Sequence, residues 1–398
     1  MSNRKLGILA VVAAGMILLA MITARTSVSG RTKTSGPAYL IQGLDPANIH
    51  SLVIGHGKDE IKIERQENQF VIVNKSGYPA DPKQINDLIT KALDIKTVEL
   101  FTSDPKNHED LEVTEEKARN VVKFFKADGS LLTGVIIGKS LESGQGAYVR
   151  LASGNEVYLA TETPWFRTRA VEYVNQEIAS VKREDIRVVT VTSPEGSYTL
   201  RTEKAGSDVV VMDNLPADKK LKDSDAKSVL TALQGLRFDD VNAPAQIEGL
   251  AFDRKYVARL EDSTEYTLEL AKKGDKTYLK VRAVYTNPDK VTINPNQQDS
   301  PEELKKKEAI LLAQENAQRF ALRHKDWVYE IPDWKANYLM KAQADLLEAK
   351  EKPAEVKVET PADGSAPVIA PGPAITLPPV VPSQPAATPP AAEPNKTQ

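Results

Sequence analysis

The 398-residue chain contains no cysteine. That excludes disulfides, thiolate metal sites, a cysteine nucleophile and a lipid-modified cysteine. It does not identify a compartment, since many exported proteins also lack cysteine. Histidine is nearly as scarce: the four are His50, His56, His108 and His324, and no two stand at i, i+4, so no helical zinc motif exists. An excess of one charge is also missing. Fifty-two Lys and Arg against 55 Asp and Glu leave a net charge of −3, so bulk electrostatics give no reason to expect nucleic-acid binding. No Gly-x-Ser-x-Gly elbow occurs, which removes support for a serine hydrolase of the α/β type. A triad assembled from distant residues stays open, because triads are defined by geometry. Apolar residues make up 41% and charged residues 27%, ordinary for a soluble globular protein, and the length points to two or three domains.

Local motifs give no site either. Gly134 to Ser140 resembles a phosphate loop, but only three residues separate its glycines where four are needed. Those three are apolar and mostly β-branched, which suits a strand, and Gly144 and Gly146 follow where a helix should begin. No nucleotide is therefore expected. His108 lies in an oxygen-rich stretch, Asp104 to Asp110, which reads as a solvated loop before a divalent-metal site. Asp223 and Asp225 lack the glycine and distal glutamate of a calcium loop and are expected to supply a helix N-cap. The pair Asp239-Asp240 is unremarkable in so charged a chain. Trp165, Trp327 and Trp334 sit beside closing strands and helices, which favours core packing over an aromatic ligand platform. No catalytic, cofactor-binding or metal-binding residue is expected.

What the chain does contain starts with an uncharged run, Leu6 to Thr23. At 1.5 Å per residue it spans about 27 Å, just enough for a bilayer core of roughly 30 Å. Arg4 and Lys5 precede it and favour a cytoplasmic N-terminus; Arg25, Arg31 and Lys33 follow, so the bias is weak. The expectation is an uncleaved anchor over 6–24 after a cytoplasmic 1–5. A cleaved signal ending near Ser27-Val28-Ser29 is the rival, and a buried core helix is the bland alternative. Residues 25–38 read as a linker.

The stretch Ile49 to Ile95 is used twice. Leu52, Ile54, Ile61 and Ile63 alternate with polar residues, then Pro79-Ala80-Asp81 precedes a helical run of Ile85, Leu88, Ile89 and Ala92. A shift of 137 residues brings Val189, Val191, Tyr198, Leu200 and Pro216-Ala217-Asp218 onto the same places without a gap. After four extra residues the helix returns as Ala226, Val229, Leu230, Leu233 and Leu236. Asp81 should cap the first helix, with Pro82 at its first position and Gln84 at capping-box spacing. Hairpins are expected at Asp128-Gly129 and between Tyr256–Leu260 and Tyr266–Leu270. Pro164-Trp165 should open a short helix through Val174, as Pro332-Asp333-Trp334 opens the closing one. The expected class is α+β: two tandem repeats, 39–178 and 179–350, each an antiparallel sheet with a packed helix.

The second repeat carries an insertion, about 283–325, that the first lacks. Ser300, Pro301 and Glu303 have the spacing of a capped helix start, and the helix should run to about Arg323. Ile310, Ala313, Ala317, Phe320 and Ala321 form one stripe, which can pack on the helix's own domain. Leu304, Leu311 and Leu322 form a second on nearly the opposite side, a candidate partner-binding face unless residues 283–298 fold over it. Residues 351–398 are dominated by Pro, Ala, Val and Glu and are expected to be a disordered, Pro-rich tail.

One N-terminal span, a repeated strand–strand–helix unit, GYPAD and NLPAD before the helices, and Val-Tyr strands followed by Pro-Trp together resemble the family known as domain of unknown function 4340. The resemblance covers roughly residues 39–350. Members are often encoded beside an ABC transporter of the gliding-motility type. The resemblance therefore implies an extracytoplasmic accessory protein of such a transporter. With the Leu6–Thr23 run and the lack of a site motif, the expectation is a non-enzymatic, single-pass accessory or scaffold protein of the cytoplasmic (inner) membrane, its bulk extracytoplasmic or periplasmic, with ABC transporter subunits as partners and no cofactor. The family has no established catalytic residues to carry over. The alternatives are an extracytoplasmic binding module for cell-wall glycan or an exported ligand, marked by an exposed aromatic groove including a tryptophan, and an uncharacterised enzyme, marked by a pocket of converging polar groups.

Overall fold

A computed structural model describes residues 38–350, apart from 143, 205, 289–290 and 292–299. The anchor, nearly all of the linker, the Pro-rich tail and part of the insertion lie outside the described residues. No described helix is long and apolar enough to cross a membrane.

The class is α+β, with every strand pair antiparallel. The first sheet is built from β1 (Ala38–Tyr39), β2 (Ser51–Ile54), β3 (Ile61–Gln66), β4 (Gln69–Ile72), β5 (Tyr78–Pro79), β6 (Lys96–Thr102), β7 (Asn120–Phe125), β8 (Leu131–Ser140), β9 (Ala147–Leu151) and β10 (Val157–Ala160), with helix α1 (Pro82–Leu93) between β5 and β6. Its spatial order is β5-β4-β3-β2-β7-β8-β9-β10-β6-β1. The two-residue alternation puts Leu52, Ile54, Ile61 and Ile63 in the core, where they meet the buried face of α1: Ile85, Leu88, Ile89 and Ala92. Asp81 caps α1 by accepting from Lys83 N at 2.9 Å, and Pro82 takes the first position. Gln84 does not complete a capping box. Its side chain is taken by Arg167 Nη1, a donor from a segment distant in sequence.

The chain continues with β11 (Glu177–Ala179), β12 (Ile186–Ser193), β13 (Gly196–Thr202), β14 (Val210–Met212), β15 (Lys219–Leu221), helix α2 (Asp223–Leu230), β16 (Leu236–Arg237), β17 (Asp240–Asn242), β18 (Arg254–Leu260), β19 (Thr264–Lys273), β20 (Lys276–Tyr285), helix α3 (Pro301–His324), β21 (Val328–Ile331), helix α4 (Asp333–Leu339) and β22 (Leu347–Ala349). The second large sheet has the order β14-β13-β12-β18-β19-β20-β21-β17; β11 pairs with β16 and β15 with β22. The order β4-β3-β2-β7-β8-β9-β10-β6 in the first sheet thus has its counterpart, strand for strand, in the second. Register agrees as well. Leu52 faces Ile63 and Ile54 faces Ile61, as Val189 faces Leu200 and Val191 faces Tyr198.

Four further details differ from the sequence expectation. Helix α2 stops at Leu230 because Gly235, at φ +58°, turns the chain into β16; Leu236 is buried as a strand residue. Neither Asp223 nor Asp225 caps α2: Lys222 holds the cap position, and the Asp225 carboxylate pairs with Lys341 at 2.6 Å. Pro164-Trp165 opens no α-helix. That segment is irregular and ends in a short 3-10 turn, Ala170–Tyr173, held by Tyr173 Oη donating to Arg167 O and Arg167 donating to Glu172 O, both 3.0 Å. The insertion begins past Tyr285, not at Ala283, since Ala283 is still paired with Tyr266 in the sheet.

The polar stretch after β6 covers the outer face of the first sheet. Val113 and Ala118 pack on Val121, Ile136 and Val157 in a small second core. Buried Arg150 ties it down, donating to Val113 O at 2.9 Å and Gly154 O at 2.7 Å. On the main core, carbonyls at and just past the end of α2 are met by side chains from elsewhere: Tyr256 Oη donates to Val229 O at 2.9 Å, and buried Lys335 donates to Ala232 O at 3.1 Å and Gln234 O at 2.5 Å.

Candidate partner-binding face

Helix α3 starts as its sequence requires. Ser300 Oγ accepts from Glu303 N at 3.3 Å, the Glu303 carboxylate accepts from Ser300 N at 2.8 Å, and Pro301 needs no donor partner at the first position. The helix lies along β20 on one side only. Ala313 and Ala317 are buried there, and small side chains let helix and sheet approach closely. Ile310, Phe320 and Ala321 are half-buried on the same side, and the Phe320 ring meets Tyr266 edge-on at 5.0 Å. At the last turn His324 enters the core.

The opposite side is bare. Leu304, Leu311 and Leu322 are 54%, 48% and 59% exposed, and at 100° per residue they fall within roughly 20° of one line. Leu312, also exposed, widens the face; it belongs to neither periodic stripe, so spacing did not mark it. Glu308, Glu315 and Gln318 stand between the leucines, and Glu315 pairs with Arg319. Among the described residues nothing covers these leucines. A row of exposed leucines interspersed with polar residues is the surface an amphipathic helix presents to a groove in a partner.

The other sequence candidates resolve into structure. Gly134 and Gly138 lie within strand β8, where a side chain on Gly134 would meet Ala152, Lys123 and Val122 O at 3.0 Å; close packing explains the glycine. His108 is buried, with Nε2 2.9 Å from Asn155 O. No group of three potential metal ligands exists among the described residues. The tryptophans divide. Trp327 packs on Tyr78 with ring centroids 4.8 Å apart, as expected. Trp165 and Trp334 are 67% and 55% exposed, contrary to core packing, because the buried positions beside Trp334 on α4 are taken by Lys335, Ala336 and Leu339.

Where α3 ends, the two sheets meet. Tyr78, from the GYPAD motif, sits edge-on to Trp327, Phe238 and Tyr329, and Lys75 reaches Asp240 at 2.5 Å. His324 Nδ1 lies 2.6 Å from Tyr329 Oη, while its Nε2 is buried without a partner. Burial, reinforced by the adjacent Arg323 charge, pushes the His324 imidazole down to about 3. Burial raises the Tyr78 and Tyr329 phenols above their usual value. Both phenols and the imidazole are thus held in their uncharged forms, beside the Arg323 guanidinium.

No curated protein matches the chain, and no solved structure matches it. A family model does match, from Val71 in β4 to Lys255 in β18, a span that runs out of the first sheet and into the second. Residues 71–255 thus match the family described as Domain of unknown function (DUF4340), the family the chain's motifs resemble.

Proposed function

We propose that the protein is a non-enzymatic accessory or scaffold subunit, anchored in the cytoplasmic membrane by Leu6–Thr23 with its folded part outside, and that it works by holding subunits of an ABC-type transporter. The observation that carries this reading is the leucine ridge on α3. It is built on an insertion that the first sheet lacks, its helix is fully capped, and its apolar side is turned away from the body of the protein. The proposal includes a tandem duplication as the scaffold's origin. It is supported by the common order of eight strands, by the matching registers of β2–β3 and β12–β13, and by the ungapped shift of 137 residues.

The test joins anchor and ridge. Full-length protein should fractionate with membranes, and a variant lacking residues 1–25 should not. A photo-crosslinker at position 311 should capture a co-encoded transporter membrane subunit. Leu304→Glu with Leu311→Glu should abolish the crosslink and leave the melting temperature within a few degrees. Unfolding by that double substitution would assign the ridge to the protein's own core and refute the docking role.

A further inference from the structure

Strand β6 has one open side. β10 pairs with it from Thr97 to Thr102, but β1 covers the other side only at Lys96 and Thr97. Among the described residues, no strand pairs with Val98 to Thr102 on that side. The side chains at this edge are mostly apolar. Tyr39 of β1 and Val98, Leu100 and Phe101 of β6 are each between 48% and 58% exposed. The pairing with β10 skips Val98 and Phe101, which are the extra residues of two bulges, and bulges re-aim side chains. An exposed apolar edge is a liability unless something covers it.

The course of the chain points to the cover. β1 opens the described residues, so this edge is where residues 24–37 join the folded part. Those residues directly follow the Leu6–Thr23 run, and at ~3.5 Å each they reach no more than about 50 Å. With that run in a bilayer, the apolar edge is the surface tethered to the lipid. Its composition suits the headgroup layer. Tyrosine and lysine concentrate there, and the Lys96 ammonium lies 5.6 Å from the centre of the Tyr39 ring. Lys96 and Glu99 balance in charge, so the attraction is apolar and needs no anionic lipid. The open backbone of residues 98–102 limits the depth. In hydrocarbon its N–H and C=O groups would go unsatisfied, whereas among headgroups water reaches them. A second protein strand fits less well, because bulges twist an edge away from a regular ladder, while a lipid surface imposes no register.

We propose that the edge formed by Tyr39, Val98, Leu100 and Phe101 rests in the headgroup layer of the bilayer that holds the anchor, and so fixes how the folded part sits on the membrane. This rests on the anchor reading above and is independent of the leucine ridge on α3.

The absence of cysteine makes the test clean, since one introduced thiol carries one fluorophore. The full-length protein in phosphatidylcholine nanodiscs is labelled with an environment-sensitive dye at Leu100→Cys. Val12→Cys in the anchor run and Val211→Cys, an exposed apolar position on edge strand β14, are labelled separately. Lipids carrying a nitroxide on the headgroup or deep in the acyl chain serve as quenchers. The headgroup nitroxide should quench position 100 by about twofold or more over position 211, and the deep nitroxide should quench position 12 alone. Adding Tyr39→Ser and Val98→Asp should bring quenching at 100 down to the level at 211, with the melting temperature within a few degrees because both side chains are exposed. Equal quenching at 100 and 211, or quenching at 100 unmoved by the double substitution, would overturn the proposal. So would blue-shifted emission at 100 without lipid quenching, which would mean that protein covers the edge, a second copy or residues 24–37 themselves. Quenching at 12 with none at 100 would keep the anchor and overturn the edge contact. Quenching at 100 with none at 12 would refute the anchor and leave the edge as a membrane contact in its own right.

Discussion

At the scale of single residues, the polar groups inside this protein are placed to close hydrogen-bond accounts that the backbone leaves open. Lys335 and Tyr256 serve the carbonyls at and just past the end of α2, and Arg150 serves the loop after β6. Arg65 Nε, Asn120 Nδ2, Arg183 Nη1, Arg187 Nη1 and His324 Nε2 are buried without a partner, and of these His324 is the one that titrates near neutrality when unfolded, with Arg323 beside it. Such a histidine makes stability depend on acid. In the unfolded chain it protonates below about 6.5, whereas the folded protein keeps it neutral down to about 3. The unfolded state therefore binds more protons in that window, and stability falls as pH falls through it, by up to ~1.4 kcal/mol per pH unit. His324→Gln should keep a bond to Tyr329 and lose this slope. Urea melts of both proteins between pH 7 and pH 5, above the main carboxylate range, would show the parent losing stability relative to the variant. Parallel curves would mean that His324 titrates normally.

At the scale of elements, each helix rests on one apolar face and one start signal, and these can be removed separately. Leu88 of α1 and Leu230 of α2 are both buried against the core. Leu88→Asp and Leu230→Asp should each cost several kcal/mol, since an unpaired charge would enter a continuous core; thermal melts should show both. Ser300→Ala breaks one arm of the α3 capping box and should cost only about 1 kcal/mol, fraying the first turn without touching the core. Hydrogen exchange at the amides of Glu302, Glu303 and Leu304 would report it. These elements were legible because their signals are local: Asp81-Pro82 and Ser300-Pro301 mark starts, and the spacing of Ile85, Leu88, Ile89 and Ala92 marks a face. Strand β6 was not read from the sequence. Its pattern is broken because Val98, Leu100 and Phe101 are all exposed and only Thr97 is buried in the strand, so no polar–apolar alternation exists to find. The leucine ridge was legible as a second stripe, while the apolar edge was not. It joins Tyr39 to Val98, Leu100 and Phe101, which only the pairing of β1 with β6 brings together.

At the scale of the whole folded part, the two sheets are not independent. Ile85 of α1, Leu230 of α2 and Tyr78 at the junction all belong to one connected core. Tyr78 of the first sheet packs into the second: its ring is edge-on to Phe238, Trp327 and Tyr329, with centroids 5.8, 4.8 and 6.3 Å away. The unit should therefore unfold in one transition, with far-UV circular dichroism and tryptophan fluorescence reporting the same midpoint. Tyr78→Ala tests this. Truncating a buried aromatic should cost about 3–5 kcal/mol, and here the cavity falls on the seam between the sheets. Trp327 borders that cavity, so its fluorescence should change first, and the two probes should part as the coupling between sheets is lost. Tyr78→Phe keeps the ring, gives up the hydroxyl and should retain coincident transitions at a slightly lower midpoint. Coincident transitions in Tyr78→Ala would show that the sheets are joined by contacts other than this aromatic cluster, with the Lys75–Asp240 pair as the next to remove.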